Sequence, residues 1–170
     1  VSSNYFDVLM LRPRVGRFFV AQDDRHPQSA ETEGSVAVIS DGLWERQFAR
    51  DPGVIDRVVL VNGSECRVIG VAPPGFAGET VGFAVDVWVP VISFSPRNYL
   101  GNRGGQFTQS IARLKSGIDV AQAQAGMTAL HRELRQAEWN TYPETRRRTT
   151  LEEASIRVTT ATTGLDGRVR

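Results

Sequence analysis

Cys66 is the only cysteine of this 170-residue chain, and His26 and His131 are its only histidines. These side chains are best suited to nucleophilic, acid–base or metal chemistry near neutral pH, and they lie far apart in the sequence. One cysteine forms neither an internal disulfide nor a thiolate cluster for zinc or iron–sulfur. A reactive thiol also needs exposure and an activating partner. Cys66 sits instead in an alternating apolar run and reads as a buried, inert side chain. His26 stands near Asp23 and Asp24, but three polar residues in a polar loop set no coordination geometry. His131, beside Leu130 and near Arg135, reads as a structural or surface residue. Ser35, Ser40 and Ser64 have no histidine–acid arrangement that would activate a hydroxyl. No residue is assigned to catalysis, to a cofactor or to a metal.

Two further stretches invite a binding role. Gly101-Asn102-Arg103-Gly104-Gly105 is glycine-rich but lacks the lysine–serine/threonine end of a phosphate-binding loop, and it reads as a flexible turn. Arg146-Arg147-Arg148 is compact and basic, without the aromatic platform or wide basic stripe of a nucleic-acid site. It reads as a solvated or membrane-proximal surface. Lys plus Arg is 20 against 19 for Asp plus Glu, so the field is too weak to capture nucleic acid. Trp44 and Trp88 read as packing anchors, and Trp139 as a residue that can meet another segment or a partner.

The elements that hold these residues are short. Tyr5, Phe6, Val8 and Leu9 predict one or two helical turns after Ser2 or Asn4, ended by Pro13. Val15, Phe18 and Phe19 follow as loop anchors, and residues 22–34 form a polar surface loop. Val36 to Ile39 is a strand. Ser40 or Asp41 caps a helix carrying Leu43, Trp44, Gln47 and Phe48, and Asp51-Pro52-Gly53 stops it. Asn62-Gly63 joins Val58–Val61 to Cys66–Val71 as a type I′ hairpin. That turn pairs Val61 with Ser64 and Val59 with Cys66. Val59, Val61, Cys66 and Val68 then share one face, with Glu65 and Arg67 opposite Leu60 and Val58 on the other.

Asp86 to Val91 is a further strand, residues 95–106 a Pro/Gly/Asn/Arg-rich connector, and Phe107 to Leu114 another strand. Asp119 and Gln122 have capping-box spacing at the start of the best helix. Its Val120, Ala123, Met127, Leu130, Leu134 and Ala137 predict a one-faced helix lying on a sheet or another helix. Ala154 to Thr160 is a last strand. Strands and helices do not alternate as a βαβ series, so the fold class is α+β, with two lobes divided near the connector. No apolar run approaches the ~18 residues that would cross a bilayer. The chain starts at Val1 and reads as a segment of a longer protein.

The order of these motifs resembles the MacB-like periplasmic core domain of FtsX-like ABC transporter permeases. The resemblance rests on residues 3–19, on Val36 to Phe48, on Leu60-Val61-Asn62-Gly63 with Arg67 to Pro73, on Asp86-Val87-Trp88-Val89-Pro90, and on Ala112 to Gly117 with Ala121-Gln122-Ala123. It covers nearly the whole chain. It implies a porter-like lobe, 1–34 with 93–170, into which a smaller mixed α/β lobe, 35–92, is inserted. The resemblance also implies a place outside the inner membrane, between the first and second transmembrane helices of a permease. It implies a non-catalytic role in transmitting conformational change from a cytoplasmic ABC ATPase, with a periplasmic protein or exported substrate as partner and a parent able to dimerise. A freestanding solute-binding or adhesion module is the alternative. It would need a concave pocket.

Overall fold

Alternating apolar residues on either side of Asn62-Gly63 build a hairpin whose second strand is central to a five-stranded sheet. A computed structural model of the chain describes residues 1–24, 35–94, 109–139 and 156–161. In it β3 (Val58–Val61) pairs antiparallel with β4 (Ser64–Val71). The register is Val61 with Ser64, Leu60 with Glu65, Val59 with Cys66 and Val58 with Arg67, as the spacing predicts. Asn62 at φ 51° and Gly63 at φ 81° supply the two positive angles of the turn.

The other edge of β4 pairs parallel with β2 (Ser35–Ile39), and β2 pairs antiparallel with β5 (Val87–Trp88). The two-residue β1 (Val15–Gly16) lies beside Gly70 and Val71 at the far end of β4. The sheet is therefore mixed, in an α+β fold. A bulge where Ala37 faces Val68 but Val38 faces Gly70 resets the alternation. It lets Ile69 and Ala72 enter one core layer while Val68 and Val71 enter the other.

Both faces of the sheet are covered. On one face, α1 (Tyr5–Val8) and the segment after β1 bring Tyr5, Phe6, Phe18 and Phe19 onto Val36, Val38, Ile69 and Trp88. Phe6 is fully buried, stacked on Phe18 at 3.9 Å between ring centroids and edge-on to Trp88 at 5.7 Å. Burying such a ring contributes about 2–3 kcal/mol. On the other face, α2 (Asp41–Phe48) and a tight turn at Pro52–Val54 place Trp44 and Val54 over Ile39, Val68 and Val71.

Helix α2 ends before Asp51-Pro52-Gly53. Ala49 at φ 48° and Arg50 at φ 58° are already left-handed, and Asp51 caps the following turn through Gly53 N–H. The strand expected over Asp86 to Val91 is shorter, because Pro90 has no N–H for a ladder and Val91 opens α3 (Val91–Phe94). Val1 bridges to this segment, donating to Val89 O and accepting from Val91 N–H, each at 2.8 Å.

The described residues fall into two compact units, one ending at Ile111 and the other beginning at Ala112. In the second, α4 (Val120–Trp139) starts with a reciprocal capping box. Gln122 N–H donates to the Asp119 carboxylate at 2.7 Å and Asp119 N–H to the Gln122 amide oxygen at 3.1 Å. The expected apolar stripe does not lie on a sheet: Met127, Leu130 and Leu134 are exposed. The strands that would lie beneath it are missing from the described parts of their segments, since 109–114 and 156–160 join no ladder. Residues 156–158 instead run beside the helix, tied by Thr128 Oγ1 to Ile156 O and by Val158 N–H to Gln124 Oε1. Among the described residues no helix is long and apolar enough to cross a membrane.

Candidate interaction surface

Ser40 stands between β2 and α2, and its hydroxyl makes two hydrogen bonds. It accepts from Leu43 N–H at 2.9 Å as the helix N-cap and donates to the Asp86 carboxylate at 2.9 Å. Ser40 N–H also donates to Asp86 O, and Arg46 on the next turn of α2 reaches both Asp86 oxygens at 2.8 Å. Asp86 thus locks the start of β5 to the start of α2. On the same helix, two guanidinium groups approach the Trp44 ring, Arg14 at 5.4 Å and Arg50 at 6.0 Å from the ring centroid. Both arginines pair with Asp41, Arg50 also reaches Glu45, and the indole N–H donates to Asp51 O.

A second polar group ties the N-terminal segment. Arg17 grips Asp23 with two hydrogen bonds, at 2.7 and 3.1 Å, and Val20 N–H donates to the same carboxylate. Burial opposes ionisation of Asp23, but these donors outweigh it and hold its carboxyl below the usual range. Asp24 accepts from Ser3 N–H, while its second oxygen is buried without a partner among the described residues. Tyr5 donates its hydroxyl to Glu79, and burial, reinforced by that carboxylate, pushes the phenol far above its ordinary value.

The residues singled out from the sequence do not converge. Asp23 and Asp24 are engaged by their own chain, and His26 lies outside the described residues. Cys66 is buried on the inner face of the hairpin, and burial pushes its thiol up. Ser35 opens β2, Ser40 is the cap, and Ser64 follows the hairpin turn. His131 is half-buried on α4. Trp44 and Trp88 are core anchors, as expected. Trp139 ends α4, and the 101–105 and 146–148 segments lie outside the described residues. Among the described residues no group of three or more His, Cys, Asp or Glu could hold a metal.

The sequence reading missed the approach of Arg14 and Arg50 to Trp44 and the role of Asp86. Arg14 lies 27 positions from Asp41, and Asp86 lies 40 and 46 positions from Arg46 and Ser40, and no local pattern signals such pairs.

What the first unit shows to solvent is partly apolar. Val58 and Leu60 stand out from the outer face of the hairpin. Val81 and Phe83 stand out from a turn closed by Phe83 N–H to Thr80 O, with Gly82 at φ 83°.

Residues 1–130 match the family model of the MacB-like periplasmic core domain. The macrolide export ATP-binding/permease protein MacB of Salmonella paratyphi A is 32% identical over 135 residues, covering 76% of this chain and 19% of that protein. MacB of Burkholderia thailandensis is 30% identical over 107 residues, 61% of this chain and 16% of that protein. The chain thus spans about a fifth of the length of such relatives. The crystal structure of the periplasmic region of MacB from Actinobacillus actinomycetemcomitans superposes with a TM-score of 0.52 at 20% identity, covering 88% of this chain and 64% of that one. That likeness is one of fold. The chain therefore belongs to the family of MacB-like periplasmic core domains, the part of an inner-membrane transporter that stands in the periplasm.

Proposed function

We propose that this domain is a non-catalytic module of an ABC-type permease. It passes conformational change between the membrane and the periplasm and contacts an exported substrate or a periplasmic protein there. The observation that carries this reading is the family match over residues 1–130. Among the described residues, Asp23, Ser40, Asp41 and Asp86 are engaged in caps and ion pairs that stiffen the first unit, which supports a mechanical role. Hydrolysis of ATP belongs to a separate domain or subunit in the cytoplasm.

Topology reporters fused at both ends of this segment in the parent protein test the reading. Two flanking spans with the segment outside are expected, and a soluble parent lacking both would overturn it. Coupling itself is read from the parent's ATP turnover when the domain is cross-linked internally. Turnover unchanged by such a lock would remove the transmitting role.

The inserted lobe at 35–92 is part of the same proposal. Its test is whether 35–92 folds without residues 1–24, whose Phe6, Phe18 and Phe19 pack against it.

A further inference from the structure

Strand β3 has an open edge, and the groups on that edge are set by the hairpin. In a two-residue hairpin the residues flanking the turn exchange hydrogen bonds, and every second pair does so after that. The bonded pairs are therefore Val61 with Ser64, Val59 with Cys66 and Arg57 with Val68, and the last is visible as Val68 N–H to Arg57 O at 2.9 Å. The N–H and C=O groups of Val58 and Leu60 point the opposite way, off the sheet. Among the described residues no strand pairs there, since β3 pairs with β4 alone. The same two residues carry exposed apolar side chains, Val58 at 57% and Leu60 at 73% of full exposure. Strand edges of this kind, without a charge or a proline, are templates for pairing with another chain.

We infer that this edge pairs with the same edge of a second copy of the chain, antiparallel about a two-fold axis at Val59. The register follows from the free groups. With Val59 opposite Val59, Val58 meets Leu60 of the second copy and Leu60 meets its Val58, so all four outward N–H and C=O pairs are satisfied. Sliding by one residue either way leaves part of them unmet. Centred on Leu60, Val58 would face Asn62, which is in the left-handed turn. Centred on Val58, Leu60 would face Asp56, whose N–H is already given to Val68 O.

The side chains agree with the register. Arg67 lies opposite Val58 and Glu65 opposite Leu60 on this face. Across the joined sheets each row then reads Arg67, Val58, Leu60 and Glu65, the last two from the second copy, and the partner row is its mirror in sequence. Apolar pairs sit at the centre with opposite charges at the rims, which is the self-complementarity a two-fold interface requires. Centring on Leu60 would instead bring Glu65 to both rims of one row. A four-residue strand contact falls short of the ~1,200 Å² buried by a stable dimer. The association is accordingly weak and grows with concentration.

The test uses the 170-residue chain in sedimentation velocity, from about 10 µM to about 1 mM. The average mass is expected to rise from 18.7 kDa towards twice that value. Leu60→Lys or Val58→Lys, each on an exposed side chain, weakens the association by at least about tenfold, because each substitution enters a two-fold contact twice. Circular dichroism checks that both variants stay folded. Register is read by oxidation in a Cys66→Ala background. A mixture of Val58→Cys and Leu60→Cys chains forms the heterodimer disulfide, its Cα atoms about 5.5 Å apart, faster than Leu60→Cys chains link to each other. A chain that stays monomeric throughout, a dimer indifferent to both lysines, or preferential self-linking of Leu60→Cys overturns the inference. So does an extended peptide that binds this edge in preference to a second copy.

Discussion

Replacing Gly70 by alanine asks whether backbone contact between β1 and β4 holds the N-terminal segment in place. A Cβ on Gly70 would stand 2.1 Å from Arg17 O, 3.0 Å from Arg17 C and 3.3 Å from Arg17 N. These are main-chain atoms, so no side chain can swing aside. Carbon and oxygen need more than 3 Å, and β1 must retreat by about 1 Å. That retreat strains Arg17 N–H to Ile69 O at 2.9 Å and Arg14 N–H to Val71 O at 2.8 Å. Two weakened hydrogen bonds cost about 1–2 kcal/mol. Loosening Phe18 and Phe19, which follow directly and are buried, adds about 1–2 more. The expected loss is about 2–4 kcal/mol, read as a lower urea midpoint at unchanged slope. Gly63→Ala is the control. Gly63 has φ 81° but nothing within 4 Å of a new Cβ, so only the backbone angle is penalised, at about 1 kcal/mol. If Gly70→Ala costs no more than Gly63→Ala, the close approach of β1 and β4 is not what restricts this position.

Three other outcomes follow from the same geometry. Ser40→Ala removes the cap on Leu43 N–H and the bond to Asp86, and is expected to lower stability by about 1–2 kcal/mol, whereas Ser40→Thr keeps most of it in urea melts. Cys66, buried and with its thiol pushed up, should react with an aromatic disulfide reagent no faster than the domain opens; immediate labelling of the native chain would contradict the hairpin register. The Asp23 carboxyl is held below its ordinary value, so the stability it adds is present above about pH 4 and is lost as pH falls through its folded value. The gap in urea midpoint between the native chain and Asp23→Asn should therefore close between neutral and strongly acidic pH, and a gap constant with pH would refute the pairing with Arg17.

The hairpin was legible because its determinants are local. Asn62-Gly63 dictates the turn, alternation dictates the face, and the two together fix the register residue by residue. The caps at Ser40 and Asp119 were legible for the same reason, since donor and acceptor lie three residues apart. The bulge at Ile69-Gly70 was not, because it depends on β1 and β2 pressing on β4 from opposite edges. The apolar stripe of α4 predicted a covered face, yet periodicity specifies only that one face is apolar. What covers it is a tertiary fact, and the helix is held at Gln124 and Thr128 instead. Asp86 marks the same limit. Nothing in Val85-Asp86-Val87 signals that its carboxylate will meet Ser40 and Arg46, 40 and more positions away.

Those long-range ties bear on the stiffness of the first unit, which the proposed transmitting role requires. A body that passes displacement onward must be stiffer inside than at its attachments. Val1 is bonded to Val89 and Val91. A few residues earlier, Asp86 is clamped to α2 by the Ser40 hydroxyl and the Arg46 guanidinium. A pull on either end therefore acts first on hydrogen bonds that lie across the sheet's edge, and then on the Phe6–Phe18–Trp88 layer beneath. Polar ties are short-ranged and close-packed rings resist compression, so both deform little before they break. Residues 1–24 and 35–94 should consequently move as one piece. Amide exchange would show this as protection of Val91 N–H and Ser40 N–H comparable to that of the central strand β4. Exchange at Val91 as fast as at an open turn would mean that the Val1–Val89–Val91 tie does not hold this part of the unit rigid, which would count against the proposed transmitting role.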